Sequence, residues 1–526
     1  MRNSAIVLFI ITLISLASCR SDFDFKPSVG NLGFSKDTVY LDTVFTNIGS
    51  STYTLKVYNN SGSNISIPEI KLGKGENSKY RITVDGMTGE DADNNGIGDN
   101  KIFKNVELLA KDSLYIFIET TVDVAEANPT DFLYTDKILF GSGTNFQKVE
   151  LVTLIQDAYF IFPKRQNGIY ELVDYGFNEE GNVTQVIGRS LEENHPDNGN
   201  EFIWGKVKPY VVYGFASVPT GKTLNVNAGA RIHFHSDSGL IVQQGGTLKV
   251  NGEASNTANL ENEVIFEGDR LEPGFANFAG QWAFVYLRQG STNHTINHLT
   301  IRNAINGFLV VNNTGEMLIE NTQIYNSANV GLNAQAAHIR TKNLVVGNSG
   351  IAALACTVGG IYNFTHSTFN NNWPAPNSFG VLLNNYVDGA APQAIPLLQA
   401  NFNNCIIYGS NQNQFFLDKS AAADFNYKFT NCIIKFIDSG NRFSNNPLYD
   451  FTNTDHYVNN LIEKTFRQFN PDFLDADRNK LQIGENSAAK GTADFSFSNG
   501  TFDILGNQRT SPSDIGAYNF TVFPED

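Results

Sequence analysis

The chain has 526 residues, enough for two or three domains with an ample core, and carries a net charge of −16 with a pI near 5.0. That balance excludes nucleic acid as a partner and excludes a basic patch that would hold an anionic bilayer. With 40 Phe and 20 Tyr against 3 Met and 3 Trp, the composition favours pleated strands over helices, and an all-β fold is expected.

At the amino end, Arg2 precedes an apolar run over residues 5–17 that is too short to span a bilayer, and Leu16-Ala17-Ser18-Cys19 follows. An ordinary secretory signal cut near a cysteine is one reading of this. The tetrapeptide also resembles the bacterial lipobox. That resemblance implies a lipoprotein signal peptide over residues 1–19, with Cys19 lipidated as the first mature residue and the protein held to a membrane without a spanning helix. Arg20-Ser21-Asp22-Phe23-Asp24 is similar to the acidic export tags of surface lipoproteins in the Bacteroidetes, which implies the outer membrane and a surface-exposed body. Residues 20–35, polar with Gly and Pro, are expected to form a tether.

Residues 36–158 contain β-branched and aromatic runs at 37–45, 53–59, 65–72, 80–85, 113–122, 135–140 and 147–155, separated by Gly, Asn and Ser turns. Short strands at this density predict a β-sandwich. Asn47-Ile48-Gly49, Lys56-Val57-Tyr58-Asn59-Asn60 and the hairpin from Lys137-Ile138-Leu139-Phe140 to Val149-Glu150-Leu151 resemble immunoglobulin-like domains of the abnormal-spindle and Hydin type; there is no Cys…Trp…Cys core. Within this region Asp91-Ala92-Asp93-Asn94-Asn95-Gly96-Ile97-Gly98-Asp99 places the oxygens of Asp91, Asp93, Asn95 and Asp99 at the spacing of a calcium loop, with glycine at the sixth position. The twelfth residue is Ile102 rather than a bidentate Glu, so the loop is not an EF-hand. Structural calcium and a plain solvated acidic turn both fit it.

Residues 159–205 are turn-rich and are expected to connect two domains. Over 206–440, short strands recur, and one phrase repeats: Leu299-Thr300-Ile301-Arg302-Asn303, Thr322-Gln323-Ile324-Tyr325-Asn326, Leu344-Val345-Val346-Gly347-Asn348 and Ser367-Thr368-Phe369-Asn370-Asn371. Its third position recurs every 22 or 23 residues, the period of a β solenoid. Leu299, Thr322, Leu344 and Ser367 should form one interior row, and Ile301, Ile324, Val346 and Phe369 the next. Asn303, Asn326, Asn348 and Asn371 should stack as a ladder at one turn. These residues resemble the right-handed parallel β-helix family, and Asn404-Cys405-Ile406-Ile407 and Asn431-Cys432-Ile433-Ile434 read as two more coils. Cys405 and Cys432 then share one inward position; a disulfide and small apolar filler are both possible there, and parallel in-register side chains favour filler, as for Cys356.

Residues 441–526 carry Asn470-Pro471-Asp472-Phe473, Leu481-Gln482-Ile483-Gly484, Asp503-Ile504-Leu505-Gly506-Asn507-Gln508-Arg509 and Asp514-Ile515-Gly516-Ala517-Tyr518. They resemble the terminal module of β-helix surface proteins of the choice-of-anchor type, departing from it at Glu485-Asn486-Ser487, and imply a C-terminal cap that includes Gly506, Arg509, Asp514 and Gly516.

The β-helix also occurs in pectin-degrading lyases and hydrolases, which need clustered carboxylates on the outer face. The outward positions of the repeated phrase are Thr300, Arg302, Gln323, Tyr325, Val345, Gly347, Thr368 and Asn370, with no carboxylate pair, so no catalytic residue is assigned. Arg231, His233 and His235 share one strand face and read as an exposed polar surface; His294 and His298 stand near a coil start. Tyr325, Tyr408 and Trp373 are the candidates for a sugar-stacking platform. The functional expectation is a cell-surface or outer-membrane lipoprotein with a non-catalytic β-helix that binds glycan or acts as an adhesive or structural surface protein, its partner a polysaccharide or another surface protein; the alternative is a polysaccharide lyase or glycoside hydrolase of the pectin-degrading β-helix type.

Overall fold

The computed structural model of the protein describes residues 24–142, 145–177, 181–387 and 393–524. The leader and Cys19 lie outside the described residues. The chain divides into two compact units that meet in sequence at Asp157 and Ala158.

The first unit is a two-sheet β-sandwich. One sheet orders Lys26–Pro27, Ile65–Leu72, Leu133–Ser142, Asn145–Gln156 and Thr38–Phe45, with Ile102–Leu108 also on Ile65–Leu72; the other orders Gly33–Phe34, Tyr53–Tyr58, Ser113–Thr120 and Tyr80–Val84. Alternate residues of both sheets, among them Val39, Leu55, Ile70, Ile82, Ile116, Ile138 and Leu151, close one core. Two expectations need correction. The stretch read as tether supplies the edge strands Lys26–Pro27 and Gly33–Phe34. Ile102–Leu108 was not foreseen, because Asn105, at φ 51, interrupts its alternation.

The second unit is built on three long sheets of eleven, ten and ten strands, parallel throughout except where Leu172–Phe177 pairs antiparallel with Val183–Ser190 at the start of the second. From Ile203–Trp204 to Ile433–Lys435 the chain visits them in fixed rotation. Thr223–Asn227 lies in the third sheet, Arg231–Phe234 in the first, Gly239–Val242 in the second, and Thr247–Asn251 is again in the third. This winding has the architecture of a parallel β-helix. Ile301, Ile324, Val346, Phe369, Ile407 and Ile434 pair in register and are fully buried, as are Leu299, Thr322, Leu344, Ser367, Cys405 and Cys432, so the expected interior rows are present. Cys356, Cys405 and Cys432 are buried free thiols.

Residues 159–205, expected as a connection, form the start of this unit. Tyr159–Ile161 pairs with Tyr210–Val212, and Val183–Ser190 pairs with Phe215–Val218. A buried ion pair holds that first coil: Arg189 Nη1 donates to Glu201 Oε2 at 2.8 Å, and Asn198 Nδ2 donates to Glu201 Oε1 at 2.8 Å. Burial opposes the Glu201 charge, but these donors hold its carboxyl below the usual range.

The corners follow from backbone sterics. Asn303, Asn326 and Asn348 turn with φ between 50 and 63, and Asn326 Nδ2 donates to Asn303 Oδ1 at 3.2 Å. Asn371 leaves the expected ladder and instead ties Ser349 and Phe379 as the chain enters the loop containing Trp373. A second left-handed stack runs along the corner before the first sheet: His298, Asn321, Asn343, His366, Asn404, Asn431 and Asn459.

The expected C-terminal cap is two different things. Phe436, Phe443, Tyr449 and Phe451 pack on Phe415 and Tyr457 at the last coil, closing that end with aromatic rings. Residues 464–524 instead run back along the outward face of the first sheet. Leu481, Ile504, Ala517 and Tyr518 pack on Val345, and Ile483, Ala489 and Ile515 pack on Ile406 and Ile433. The apolar outward residues require such a cover.

Candidate functional site

The outward face of the first sheet carries two rows. One reads Arg231, Ile265, Thr300, Gln323, Val345, Thr368, Ile406, Ile433; the other reads His233, Glu267, Arg302, Tyr325, Gly347, Asn370, Tyr408. Residues 464–524 cover the later coils. The earlier coils keep polar groups open to solvent, with Arg302 37% and Glu267 25% exposed at their side chains.

The expected aromatic platform does not form. Tyr325 lies against Val345 and Tyr518, and its hydroxyl donates to Gln323 Oε1 at 2.7 Å. Tyr408 meets Phe473 edge-on, and its hydroxyl donates to Glu463 Oε2 at 2.9 Å. Burial pushes both phenols up. Trp373 sits apart, in the loop that leaves Asn371 for the second sheet, its backbone N–H donating to Asn371 Oδ1. The three rings therefore share no surface, because the outward apolar residues beside Tyr325 and Tyr408 recruit the chain's own C-terminal segment as cover.

What the structure brings together lies one coil before the repeated phrase. Glu263 precedes the strand Val264–Gly268 and Glu267 lies within it, both on the outward side. Thr300 Oγ1 donates to Glu263 Oε2 at 2.9 Å. Glu267 stands between His233 Nδ1 and Arg302 Nη1, each at 3.8 Å. Arg231 is committed to backbone, donating to the carbonyls of Glu263, Asn259 and Leu260. Burial pushes the Glu263 carboxyl up, against the opposing pull of Thr300, Arg302 and Arg231.

The histidine expectation is corrected in part. Arg231 and His233 do face outward, but His233 is buried at 5% exposure beneath its neighbours, and that burial pushes its pKa down. His235 lies past the strand end. It pairs with Asp269 Oδ2 at 2.7 Å, which raises its pKa, and packs on Tyr213 with the rings tilted by 34° and their centres 4.5 Å apart. Tyr213 is pushed up to about 12 by burial and by Asp269. The loop beyond Asp269 bears Arg270 over the Phe275 ring at 3.9 Å and an exposed Phe278, and is tied to the corner by Asn303 Nδ2 donating to the Ala276 carbonyl. His294 is enclosed, bonded to the Leu248 N–H and Ser291, while His298 forms a corner. The run Glu263-Val264-Ile265-Phe266-Glu267 shows the alternation that exposes both carboxylates, yet its long flanking loops hide the coil from a search for the 22-residue phrase.

In the sandwich, Asp91, Asp93 and Asp99 place one carboxylate oxygen each within 4.8 Å of the others, the sole such cluster of potential metal ligands among the described residues. Asp91 accepts from Asn95 N at 3.0 Å and Gly96 N at 2.7 Å, Asp99 accepts from Ala92 N at 2.7 Å, and Asn95 Oδ1 accepts from Ile97 N. The Gly96 N–H holds the Asp91 carboxyl below its ordinary value. Hard oxygen ligands at this spacing fit calcium.

No family model and no curated protein matches the chain. Among solved structures it shows 8% identity and a TM-score of 0.16 to a family 123 glycoside hydrolase from Clostridium perfringens studied for glycolipid glycan hydrolysis, over 25% of this chain and 30% of that one, a likeness too small to carry an argument.

Proposed function

We propose that the protein is an exported surface protein whose β-helix binds a glycan on the open stretch of its first sheet. The observation that carries this reading is the row His233, Glu267, Arg302, with Glu263 and Thr300 beside it and with Phe275 and the exposed Phe278 on the loop that Asn303, next after Arg302, holds by the Ala276 carbonyl. Carboxylate and guanidinium groups offer paired hydrogen bonds to neighbouring hydroxyls, and aromatic rings cover the apolar face of a sugar. Lipidation at Cys19, an outer-membrane location and an immunoglobulin-like character for the sandwich belong to the same proposal, supported by the lipobox resemblance and the two-sheet arrangement. A right-handed winding is supported by the strong preference of parallel crossovers for that hand. Calcium at Asp91, Asp93, Asn95 and Asp99 is proposed as a structural ion.

A glycan array probed with the soluble body tests the binding. One class of glycan should be retained, and Arg302→Ala should weaken it about tenfold or more, as expected for a charged hydrogen bond. Retention of none, or of all classes alike, leaves the body a scaffold or adhesin. Metabolic labelling with a fatty acid should mark the wild type and not Cys19→Ala.

A further inference from the structure

We propose that the outward face of the sandwich's four-stranded sheet is a carbohydrate-binding surface in its own right, one that takes an uncharged, extended polysaccharide chain. The face follows from alternation. Leu55, Val57, Ile82, Leu114, Ile116 and Ile118 turn into the core, so the residues between them turn out. On the interior strand Ser113–Thr120 the outward residues are Ser113, Tyr115, Phe117 and Glu119. Across the ladder Lys56 stands opposite Tyr115, Thr54 and Thr83 stand opposite Phe117, and Arg81 stands opposite Glu119. Sheet positions that face only water are ordinarily polar. Tyr115 and Phe117 are nonetheless 47% and 40% exposed, unlike Tyr325 and Tyr408, which the C-terminal segment covers.

The chemistry of the face selects its occupant. The Tyr115 and Phe117 rings lie 6.4 Å apart and within 23° of parallel. The Lys56 ammonium, 5.1 Å from the Tyr115 ring centre and 5.5 Å from that of Tyr58, pins the first of them. Rings held in this way lose little freedom when a ligand packs on them, and the apolar C–H face of a pyranose is such a ligand. Around the rings stand the hydroxyls of Thr54, Thr83 and Ser113, with no aliphatic side chain among these outward positions. That border matches the hydroxyl rim of a sugar rather than the apolar core of a protein interface. Because the two rings follow each other along one strand, the ligand must stay extended over neighbouring sugars. Charge narrows the class further. Arg81 faces Glu119 at 3.7 Å, Thr52 Oγ1 donates to Glu119 Oε1 at 2.5 Å, and Asp85, whose N–H donates to the Tyr115 carbonyl, offsets Lys56. On a chain of net charge −16 this face is locally balanced, which favours a neutral polysaccharide over a polyanion or a polycation.

The surface is independent of the row His233, Glu267, Arg302, and mutation separates the two. The full mature chain is titrated by calorimetry with galactomannan, xyloglucan and mixed-linkage β-glucan as neutral chains and with polygalacturonate as the anionic one. One neutral polysaccharide should bind. Tyr115→Ala and Phe117→Ala should each weaken it about tenfold without lowering the melting temperature, while Tyr115→Phe, which keeps the ring, should stay within about twofold. Arg302→Ala should leave this binding in place. Binding that Arg302→Ala abolishes and both ring variants leave untouched overturns the sandwich surface and keeps the β-helix one; the converse pattern supports the sandwich surface and removes the β-helix one. Failure of every polysaccharide to bind, or retention of polygalacturonate alone, overturns the proposal and leaves the rings to a protein partner.

Discussion

The two stretches of the first sheet's outward face share strand geometry, register and one continuous inward core, yet one is surface and the other is a second interior. Arg231, His233, Glu267 and Arg302 face outward on the early coils; Val345, Ile406 and Ile433, fully buried, face outward on the later ones. The difference lies in one column of side chains. Apolar outward residues draw in residues 464–524, and Gly347 lets that segment approach, since a Cβ there would lie 2.6 Å from Asn479 Oδ1. Gly516 does the same from the other side: its φ of +94 is strained for any other residue, and a Cβ there would lie 2.6 Å from Ile406 Cδ1. A solenoid face is thus assigned to core or to recognition by its outward chemistry, while the repeat phrase that defines the coil is silent on it.

The strongest way to break the comparison is to damage what both stretches share. Ile324→Asp buries a charge between Ile301 and Val346 with no partner and should cost about 4–5 kcal/mol, unfolding open and covered stretches together. Loss of amide protection confined to one stretch would show that the coils do not form one cooperative core.

Next comes the anchor of the covered stretch. Arg509, 2% exposed, donates to Asn343 Oδ1 at 3.0 Å and to the carbonyls of Gly516 and Ala517 at 2.9 and 3.1 Å, near Asp503 and Asp514. Arg509→Met strands those acceptors and both carboxylates, a loss of about 3–5 kcal/mol. Proteolysis and hydrogen exchange should open residues 464–524 first while the early coils stay protected. Equal exposure of the early coils contradicts a locally held segment.

A smaller effect should separate neighbouring residues. Tyr325→Ala, under the segment, should cost about 2 kcal/mol, whereas Arg302→Ala, one coil earlier in the same row, should change stability by less than about 1 kcal/mol and act on binding instead. The repeated phrase places both side chains outward, away from the solenoid axis, and by itself leaves both on the open surface. Equal melting temperatures would return Tyr325 to the open surface.

That failure marks what was legible. The inward rows, the coil period, the free cysteines and most sandwich strands follow from local alternation, a property of consecutive residues. The cover over Tyr325 and Tyr408 depends on a segment more than a hundred residues away from Tyr325, and period-two patterning carries no record of it. Glu263 and Glu267 sit in a coil whose flanking loops break the 22-residue spacing, so the repeated phrase does not reach them although both residues alternate correctly. The second corner stack was readable: His298, Asn321, Asn343, His366, Asn404 and Asn431 each stand three residues before an inward apolar position. Four of these side chains hold the C-terminal segment as well. Asn343 Nδ2 donates to the Phe502 carbonyl, His366 bonds Ser498 Oγ at 2.9 Å, Asn404 Nδ2 donates to the Asp494 carbonyl, and Asn431 Nδ2 to that of Thr492.

His366 gives the comparison a pH dependence. Burial, with Arg509 and Lys342 adding to it, pushes its pKa well below the ordinary value of about 6.5, so the folded chain keeps the ring neutral while the unfolded chain protonates it. The stability it contributes is complete above that ordinary value and is lost as pH falls toward the lowered one. His294, enclosed by the early coils and lowered to about 4 by burial, acts with the same sign. Acid should therefore weaken both stretches, and His366→Asn should flatten only the response of residues 464–524. Asn is suited to the φ of 48 there, as it is at the equivalent corners of neighbouring coils. An unchanged acid response of the segment in that variant removes His366 as its cause.

The smallest effect concerns the sandwich, which serves as the internal reference because nothing in the first-sheet comparison should touch it. If its acidic loop holds calcium, the ion offsets repulsion among Asp91, Asp93 and Asp99, whose oxygens already lie within 4.8 Å of one another. The loop departs and returns through Asp99 N donating to Glu90 O and Glu90 N donating to Ile102 O, so ordering it steadies the start of Ile102–Leu108 and through that strand Ile65–Leu72. Calorimetry of the full chain in millimolar calcium and in chelator should then move the sandwich transition by a few degrees and leave the β-helix transition in place. Asp93→Ala should abolish the shift. An identical pair of melts, or a shift that survives in Asp93→Ala, makes the loop a solvated acidic turn whose carboxylates serve the backbone N–H groups of Ala92, Asn95 and Gly96 and the side-chain amide of Asn95.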